Sequence, residues 1–193
     1  MNHEPPQGRP SPVLQSHTPL PLEPSLVASA HQQARPQASP VRVDPDDVAS
    51  IDAIIRAVYE CVSFTGGTGP DERRLASLLT IDAKLIAVQP TGATLETDMR
   101  GFVARVRDRI QTTGLMSFVE RELFRRTEVY AGIAHVFSSY EGRTSRRDGE
   151  LLLRGINSIQ LRHDGARWWI LSILWTDEHT GNPIPAAYLP RSF

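Results

Sequence analysis

The last third of this chain loses the alternation that a half-buried strand should keep. In RWWILSILWTDE, Arg167 to Glu178, apolar side chains fill nearly every position from Trp168 to Trp175, so neither set of alternate residues is polar. A strand with one face in water alternates apolar and polar positions. This run therefore predicts a strand that is covered on both faces.

Three runs of the same kind precede it: SFVERELFRRTEV, GIAHVFSSYEGR and LLLRGINSIQLR. The breaks between the four are AG at Ala131, SRRDG at Ser145 and HDGA at His163, and Asp164-Gly165 is the dipeptide that a two-residue hairpin favours. Consecutive hairpins predict an antiparallel meander.

Ahead of the meander the period changes from two to that of a helix. Asp44 suits an N-cap, Pro45 the first helical position, and Asp46 and Asp47 set carboxylates in the positive first turn. Val48, Ile51, Ile54, Ile55, Val58, Cys61 and Val62 then form one apolar stripe, which predicts a helix lying on something. GGTGP at Gly66 ends it, and a short second helix over 71–79 offers Leu75, Leu78 and Leu79. KLIAVQ, Lys84 to Gln89, reads as a strand closed by Pro90 and Gly92. After a short extended piece, Thr97 or Asp98 caps a third helix whose inner side is Met99, Phe102, Val103, Val106 and Ile110. Its other side carries Arg100, Arg105, Arg107 and Arg109, read as a solvated face. The fold class is thus α+β: three N-terminal helices packed on a curved antiparallel β-sheet.

Hairpin arithmetic then sorts the residues into faces. A type I′ turn at Asp164-Gly165 would pair Leu161 with Trp168, Ile159 with Ile170, Asn157 with Ser172 and Gly155 with Leu174 on one face. The opposite face would carry Trp169, Leu171, Ile173 and Trp175 beside Gln160, Ser158, Ile156 and Arg154. Helices can cover only one of these, and leaving the second wet would expose an apolar patch of several hundred Å², on the order of 10 kcal/mol of unrealised burial. A homodimer through that face is expected, with Trp169, Leu171, Ile173 and Trp175 as its interface. The alternative is cover by GNPIPAAYLPRSF folding back over the same chain.

Composition narrows the classes of function. In 193 residues the formal charge is −1, so no global field favours nucleic acid or an anionic membrane. No apolar run is long enough for a membrane-spanning helix, and the N-terminus carries prolines where a secretory signal needs an unbroken apolar block. A cytoplasmic location is expected, and the lone Cys61 allows one. Residues 1–43 hold nine of the fifteen prolines and few large apolar groups, which predicts a disordered, proline-rich tail ahead of a single domain over 44–193.

The order of elements, with AHVFSSYEGR, RGINSIQLRHDGARWWILSILW and the closing GNPIPAAYL, resembles the nuclear transport factor two-like, or SnoaL-like, cone superfamily and is most similar to its small bacterial members. The resemblance covers roughly 46–189. It implies a conical cavity between the helices and the concave face of the sheet, and frequent dimerisation through the sheet. Isomerases, dehydratases, cyclases, dioxygenase β-subunits and plain binding domains share this architecture, so it does not choose a reaction.

Chemistry is then sought among polar residues able to point into the cone. Asn157 and Ser172, with Trp168 and Phe137, are the candidate ligand pocket. A two-residue turn at Ala131-Gly132 would set Glu128 opposite His135, Phe124 opposite Ser139 and Glu122 opposite Glu141. Two carboxylates and a histidine on one face are material for acid–base work, and equally for surface ion pairs. Catalytic candidates are therefore His135, Glu122 and Glu141, with Tyr140 replacing them if the other parity faces inward. The ketosteroid isomerase pattern needs an aspartate base, and none matches: Asp82 lies in a predicted turn and Asp98 caps a helix. Neither metal-ligand spacing nor a nucleotide fingerprint is present, so no metal and no cofactor is expected. Two readings remain open: a small-molecule-binding domain without catalysis, or a cofactor-free isomerase, cyclase or dehydratase.

Overall fold

A computed structural model describes residues 43–145 and 149–190. The tail expected over 1–43 lies, but for its last residue, outside the described residues, as does the middle of the SRRDG break.

The first helical stretch is two helices. α1 is a single turn, Pro45–Val48, whose cap Asp44 accepts from the Asp46 amide at 3.0 Å. α2 spans Ile51–Val62 and restarts because Ser50, in extended backbone, accepts from the Ala53 amide at 3.1 Å and so makes a second cap. α3 is Glu72–Leu78, capped by Asp71, and α4 is Met99–Thr113, capped by Asp98 and ended by Gly114 in the left-handed region. Among the described residues no helix is long and apolar enough to cross a membrane.

Six strands make one sheet: β1 Leu79–Val88, β2 Thr94–Thr97, β3 Val119–Tyr130, β4 Ile133–Arg143, β5 Leu151–His163 and β6 Trp168–Asp177. Their order is β2-β1-β6-β5-β4-β3. The last four form the expected antiparallel meander. The sheet as a whole is mixed, because β1 lies parallel to β6. The connection from β1 to β6 runs through β2, α4 and the meander, long enough for the crossover that parallel neighbours require.

The helices cover the sheet's concave side. Ile54, Ile55, Leu75 and Leu78 of the helices meet Val136, Ile159, Leu161 and Ile170 of the strands, and all eight are buried. Gly142 and Gly155 let rings lie flat on this face. A Cβ at Gly142 would meet the Phe118 ring, and one at Gly155 would meet the Tyr140 hydroxyl and the Thr176 carbonyl.

Two extra residues decide which side chains share the concave side. In β6 the pairing steps from Leu161↔Ile170 to Gln160↔Ser172, so Leu171 is inserted as a bulge. The expected pairing of Asn157 with Ser172 is therefore wrong, and Asn157 stands opposite Trp175. The turn contributes to the error. The Asp164 carboxylate accepts from the Ala166 and Arg167 amides at 2.9 Å each, and the strands resume only at Trp168, so the loop holds four residues, 164–167, and not two. In β3 the step from Phe124↔Ser139 to Glu122↔Tyr140 inserts Leu123 in the same way. Glu128 does face His135 and Phe124 does face Ser139, as the Ala131-Gly132 turn requires, but beyond the bulge Glu141 pairs with Arg121.

Across the convex face runs the C-terminal segment from Glu178 through the 3-10 turn Ala186–Tyr188. Arg154 holds its start by donating to Glu178 at 2.8 Å, and the Ser139 hydroxyl donates to the Tyr188 carbonyl at 2.5 Å near its end. The Tyr188 ring meets Phe137 edge-on at 5.1 Å, with the Arg126 guanidinium 4.9 Å from its centre.

Candidate functional site

Between α2, α3, α4 and the concave sheet lies a cavity of about 460 Å³. Its walls are largely apolar, from Val58, Leu85, Phe102, Phe118, Ile173 and Trp175. Polar groups enter it from the sheet: Glu120 from β3, Tyr140 from β4, Asn157 from β5 and Asp177 from β6. Arg105 and Arg109 reach its lining from α4, so the arginine-rich face is in part the rim of the cavity.

The four sheet residues converge because the bulges at Leu123 and Leu171 bring Glu120 and Asp177 onto the face that Tyr140 and Asn157 already occupy. Gly155 then lets Tyr140 lie across β5, where its hydroxyl donates to Asp177 Oδ1 at 2.7 Å. Burial, with Asp177 adding to it, pushes the Tyr140 phenol above its ordinary value, so it stays a neutral donor. Glu120 is the group most displaced toward a useful range. Burial first, and the Asp177 carboxylate second, push it up to about 8, against a hydrogen bond from Asn157 that favours ionisation. At pH 7 Glu120 is then a neutral acid able to donate a hydrogen bond.

A second set of bonds leads away from the cavity. Asn157 Nδ2 donates to the Tyr59 hydroxyl at 3.2 Å, and that hydroxyl lies 2.7 Å from Ser138 Oγ. Ser138 in turn donates to Glu122 Oε1 at 2.6 Å. Since the Ser138 proton is committed to Glu122, Tyr59 is the donor in the middle bond, and all the donors point one way. Burial raises the Tyr59 phenol and keeps it protonated.

The expected site residues divide between the two sides of the sheet. Asn157 and Tyr140 line the cavity, and Glu122 is tied to it through Ser138. Trp168 packs against the core at the far end of β6, edge-on to His163 at 5.1 Å. Ser172 and Phe137 fall on the convex side, Ser172 because the Leu171 bulge reverses the parity after it. Phe137 lines a convex groove instead.

His135 and Glu141 are convex as well. Arg121 and Arg143 hold Glu141 in ion pairs of 2.6 and 2.8 Å and keep its carboxyl below the usual range. Of the four expected interface residues, Ile173 and Trp175 face the helices, with Trp175 edge-on to Phe102 at 6.0 Å, while Leu171 is 38% exposed. Trp169 stacks under Arg167 at 3.6 Å and donates to Asp164 at 2.6 Å.

Glu120, Asp177 and Tyr59 were not among the expected site residues. A signal for Glu120 was present in the adjacent apolar pair Leu123-Phe124, where alternation fails by one residue as a bulge requires, whereas in β6 nearly every position is apolar and nothing local marks the insertion of Leu171. Among the described residues no group of three or more His, Cys, Asp or Glu side chains is arranged to hold a metal ion.

No family model matches the chain, and no curated protein matches it. Solved structures do. A protein from Kribbella flavida is similar at 13% identity with a TM-score of 0.49, over 68% of this chain and 90% of its own. A nuclear transport factor two-like protein of unknown function from Shewanella baltica is similar at 10% identity and a TM-score of 0.48, over 67% of this chain and 92% of its own. Another of unknown function from Silicibacter pomeroyi is similar at 18% identity and 0.46, over 67% and 94%. The chain has the α+β cone architecture, a curved sheet with helices on its concave side.

Proposed function

We propose that the cone binds a small, mainly apolar molecule carrying one carbonyl or hydroxyl group. The observation that carries this reading is Glu120: a carboxyl held neutral near physiological pH, at a cavity of about 460 Å³ with apolar walls, next to the Asn157 amide. An apolar body fits the walls, and a neutral acid suits an uncharged oxygen better than an anion, which the Asp177 carboxylate would repel. A thermal-shift screen of small carbonyl and hydroxyl compounds on wild type, Glu120→Gln and Asn157→Leu tests it. Hits are expected to raise the melting temperature of wild type and of Glu120→Gln, whose amide still donates, and to lose the effect in Asn157→Leu. A hit that stabilises wild type and Asn157→Leu equally removes the assignment.

A second reading, acid–base catalysis without a cofactor, is favoured by one further feature. Asp177, bonded by Tyr140, and the neutral Glu120 give the cavity a carboxylate and a carboxylic acid, a division of roles that proton abstraction beside a carbonyl requires. Asp177 would take the proton and Glu120 would hold the developing oxyanion. Deuterium exchange from solvent into a bound ketone, followed by NMR, distinguishes the readings. Exchange that Asp177→Asn abolishes supports catalysis, and none in wild type leaves binding alone.

Assembly through the convex face is proposed in reduced form. The apolar surface available to a second copy centres on Leu171 and Leu174, 38% and 39% exposed, while the C-terminal segment covers the part over Phe137 and Ser139. Sedimentation at micromolar concentration, compared with Leu171→Glu, is expected to show a dimer that the variant loses. A monomeric wild type ends the proposal.

A further inference from the structure

The convex face holds a pair that the cone does not use. His135 Nε2 lies 2.9 Å from the Ser158 hydroxyl, across the β4–β5 ladder. Ser158 also lines a groove of about 330 Å³ between the sheet and the C-terminal segment, walled by Val88, Phe137, Ile156, Leu174, Ile184 and Tyr188. A hydroxyl within hydrogen-bond reach of an imidazole, opening on an apolar groove, supplies the nucleophile–base contact of an activated serine. We propose that Ser158, with His135 as its general base, accepts an acyl group from a small, uncharged, apolar ester held in this groove.

With the ring proton on Nδ1, Nε2 is free to take the serine proton. Ser158 Oγ then bonds to the ester carbonyl carbon and its proton passes to Nε2. The carbon–oxygen bond to the alcohol breaks, and the alcohol leaves with the proton from Nε2, giving acyl-Ser158. Water attacks that acyl group, His135 accepts the water's proton and returns it to Ser158, and a carboxylic acid is released. Glu128 is not counted as a third member. Its carboxylate is 3.9 Å from Nδ1 and 87% exposed, too far and too wet to orient the ring.

The ladder also limits the site. Ser158 sits mid-strand, opposite Phe137 on one side and Leu174 on the other, so the amides around it belong to regular pairing and form no oxyanion hole. Activated acyl groups are therefore the expected donors, and acylation should be easier to observe than turnover. The inference does not use Glu120, Tyr140 or Asn157, which face the opposite side of the sheet, although Trp175 and Asp177 line both the groove and the cone.

Full-length protein is incubated with 4-nitrophenyl butyrate and, separately, an alkyl fluorophosphonate, and the adduct is located by intact-mass and peptide mass spectrometry. A single adduct on Ser158 is expected, absent in Ser158→Ala and formed about a hundredfold more slowly in His135→Gln. No adduct on Ser158, or an equal rate in His135→Gln, overturns the proposal, and so does a dimer that shuts the groove against both reagents. Iodoacetamide alkylation of Ser158→Cys gives a second measurement. It is expected to be faster than in the Ser158→Cys/His135→Gln double variant, since the buried Cys61 supplies no competing thiol. Equal rates overturn the role of His135.

Discussion

The two faces of this sheet both carry polar residues and use them differently. On the concave face Glu120, Tyr140, Asn157 and Asp177 share a cavity with few compensating cations, and burial with the neighbouring Asp177 carboxylate raises Glu120 and Tyr140. On the convex face Arg143 and Arg121 hold the Glu141 carboxyl below the ordinary range, and the Ile184 amide, then Arg154, does the same for Glu178. One set of strands thus supports two electrostatic regimes. What separates them is counter-charge and hydrogen bonding, not residue type or exposure, since the convex Glu141 is itself buried.

The sharpest break of this comparison is in packing. Ile159 and Ile156 are three residues apart on β5 and face opposite sides, the first fully buried and the second only partly. Ile159→Ala is expected to cost about 3 kcal/mol by the transfer and cavity terms of a core truncation. Ile156→Ala should cost about 1 kcal/mol or less. Chemical denaturation of both variants measures the difference, and equal losses would mean that the convex face is as well covered as the core.

Next in size is Gly155→Ala. The new methyl group would meet the Tyr140 hydroxyl and the Thr176 carbonyl, so Tyr140 must move off Asp177 or the strands must part. A loss of about 2 kcal/mol is expected, in the range for overpacking. Sensitivity of Tyr140 fluorescence or NMR shifts to the same substitution would show that the ring, and not only the ladder, has moved.

How far these faces were legible in the sequence follows from the same strands. Helix caps at Asp44 and Asp98 and the hairpin at Ala131-Gly132 are local chemistry, and the residues involved announce it, while Asp71, expected as the first helical residue, is the cap of α3. The parallel pairing of β1 with β6 depends on residues nearly a hundred positions apart, which no local pattern encodes. Facing lies between these cases. Parity counting worked from the turn to Phe124 and failed at Leu123, because one inserted residue moves every later side chain to the other face. Asn157 was found because no bulge in β5 lies between it and the 164–167 turn, the inserted Leu152 coming beyond it, whereas Glu120 and Asp177 sit beyond bulges in β3 and β6 and were missed.

The titration of Glu120 sharpens the electrostatic half of the comparison. Its folded value of about 8 lies above the ordinary 4.5, so between those limits the folded protein binds more protons than the unfolded chain. Stability is then greatest below about pH 4.5 as far as this group is concerned, and falls as pH rises through that window to about 8. Allowing for partial solvent access, the loss should be on the order of 2 kcal/mol. Melting temperatures across that range should decline in wild type relative to Glu120→Gln, which has no proton to lose. Parallel curves for the two proteins would mean that Glu120 ionises freely and that the cone holds no neutral acid.

The smallest expected effect belongs to the convex side. Glu178 accepts from Arg154 Nε at 2.8 Å and from the Ile184 amide at 2.9 Å, tying the C-terminal segment down at its start. Both ion-pair partners reach solvent, so Glu178→Ala should cost about 1 kcal/mol or less overall. The local consequence is larger than the global one: with its side-chain ties removed, the segment keeps the Glu178 amide bond to the Arg154 carbonyl at 2.6 Å, the buried Ile184, the Ser139 bond and the Tyr188 contacts, and its distal part should open without the sheet unfolding. Hydrogen exchange at the Tyr188 and Leu189 amides, which close the 3-10 turn, is expected to accelerate in the variant while the β5 and β6 amides stay protected. If strand amides exchange equally faster, the segment is part of the cooperative core, and the two faces are not separable in the way the arginine pairs suggest.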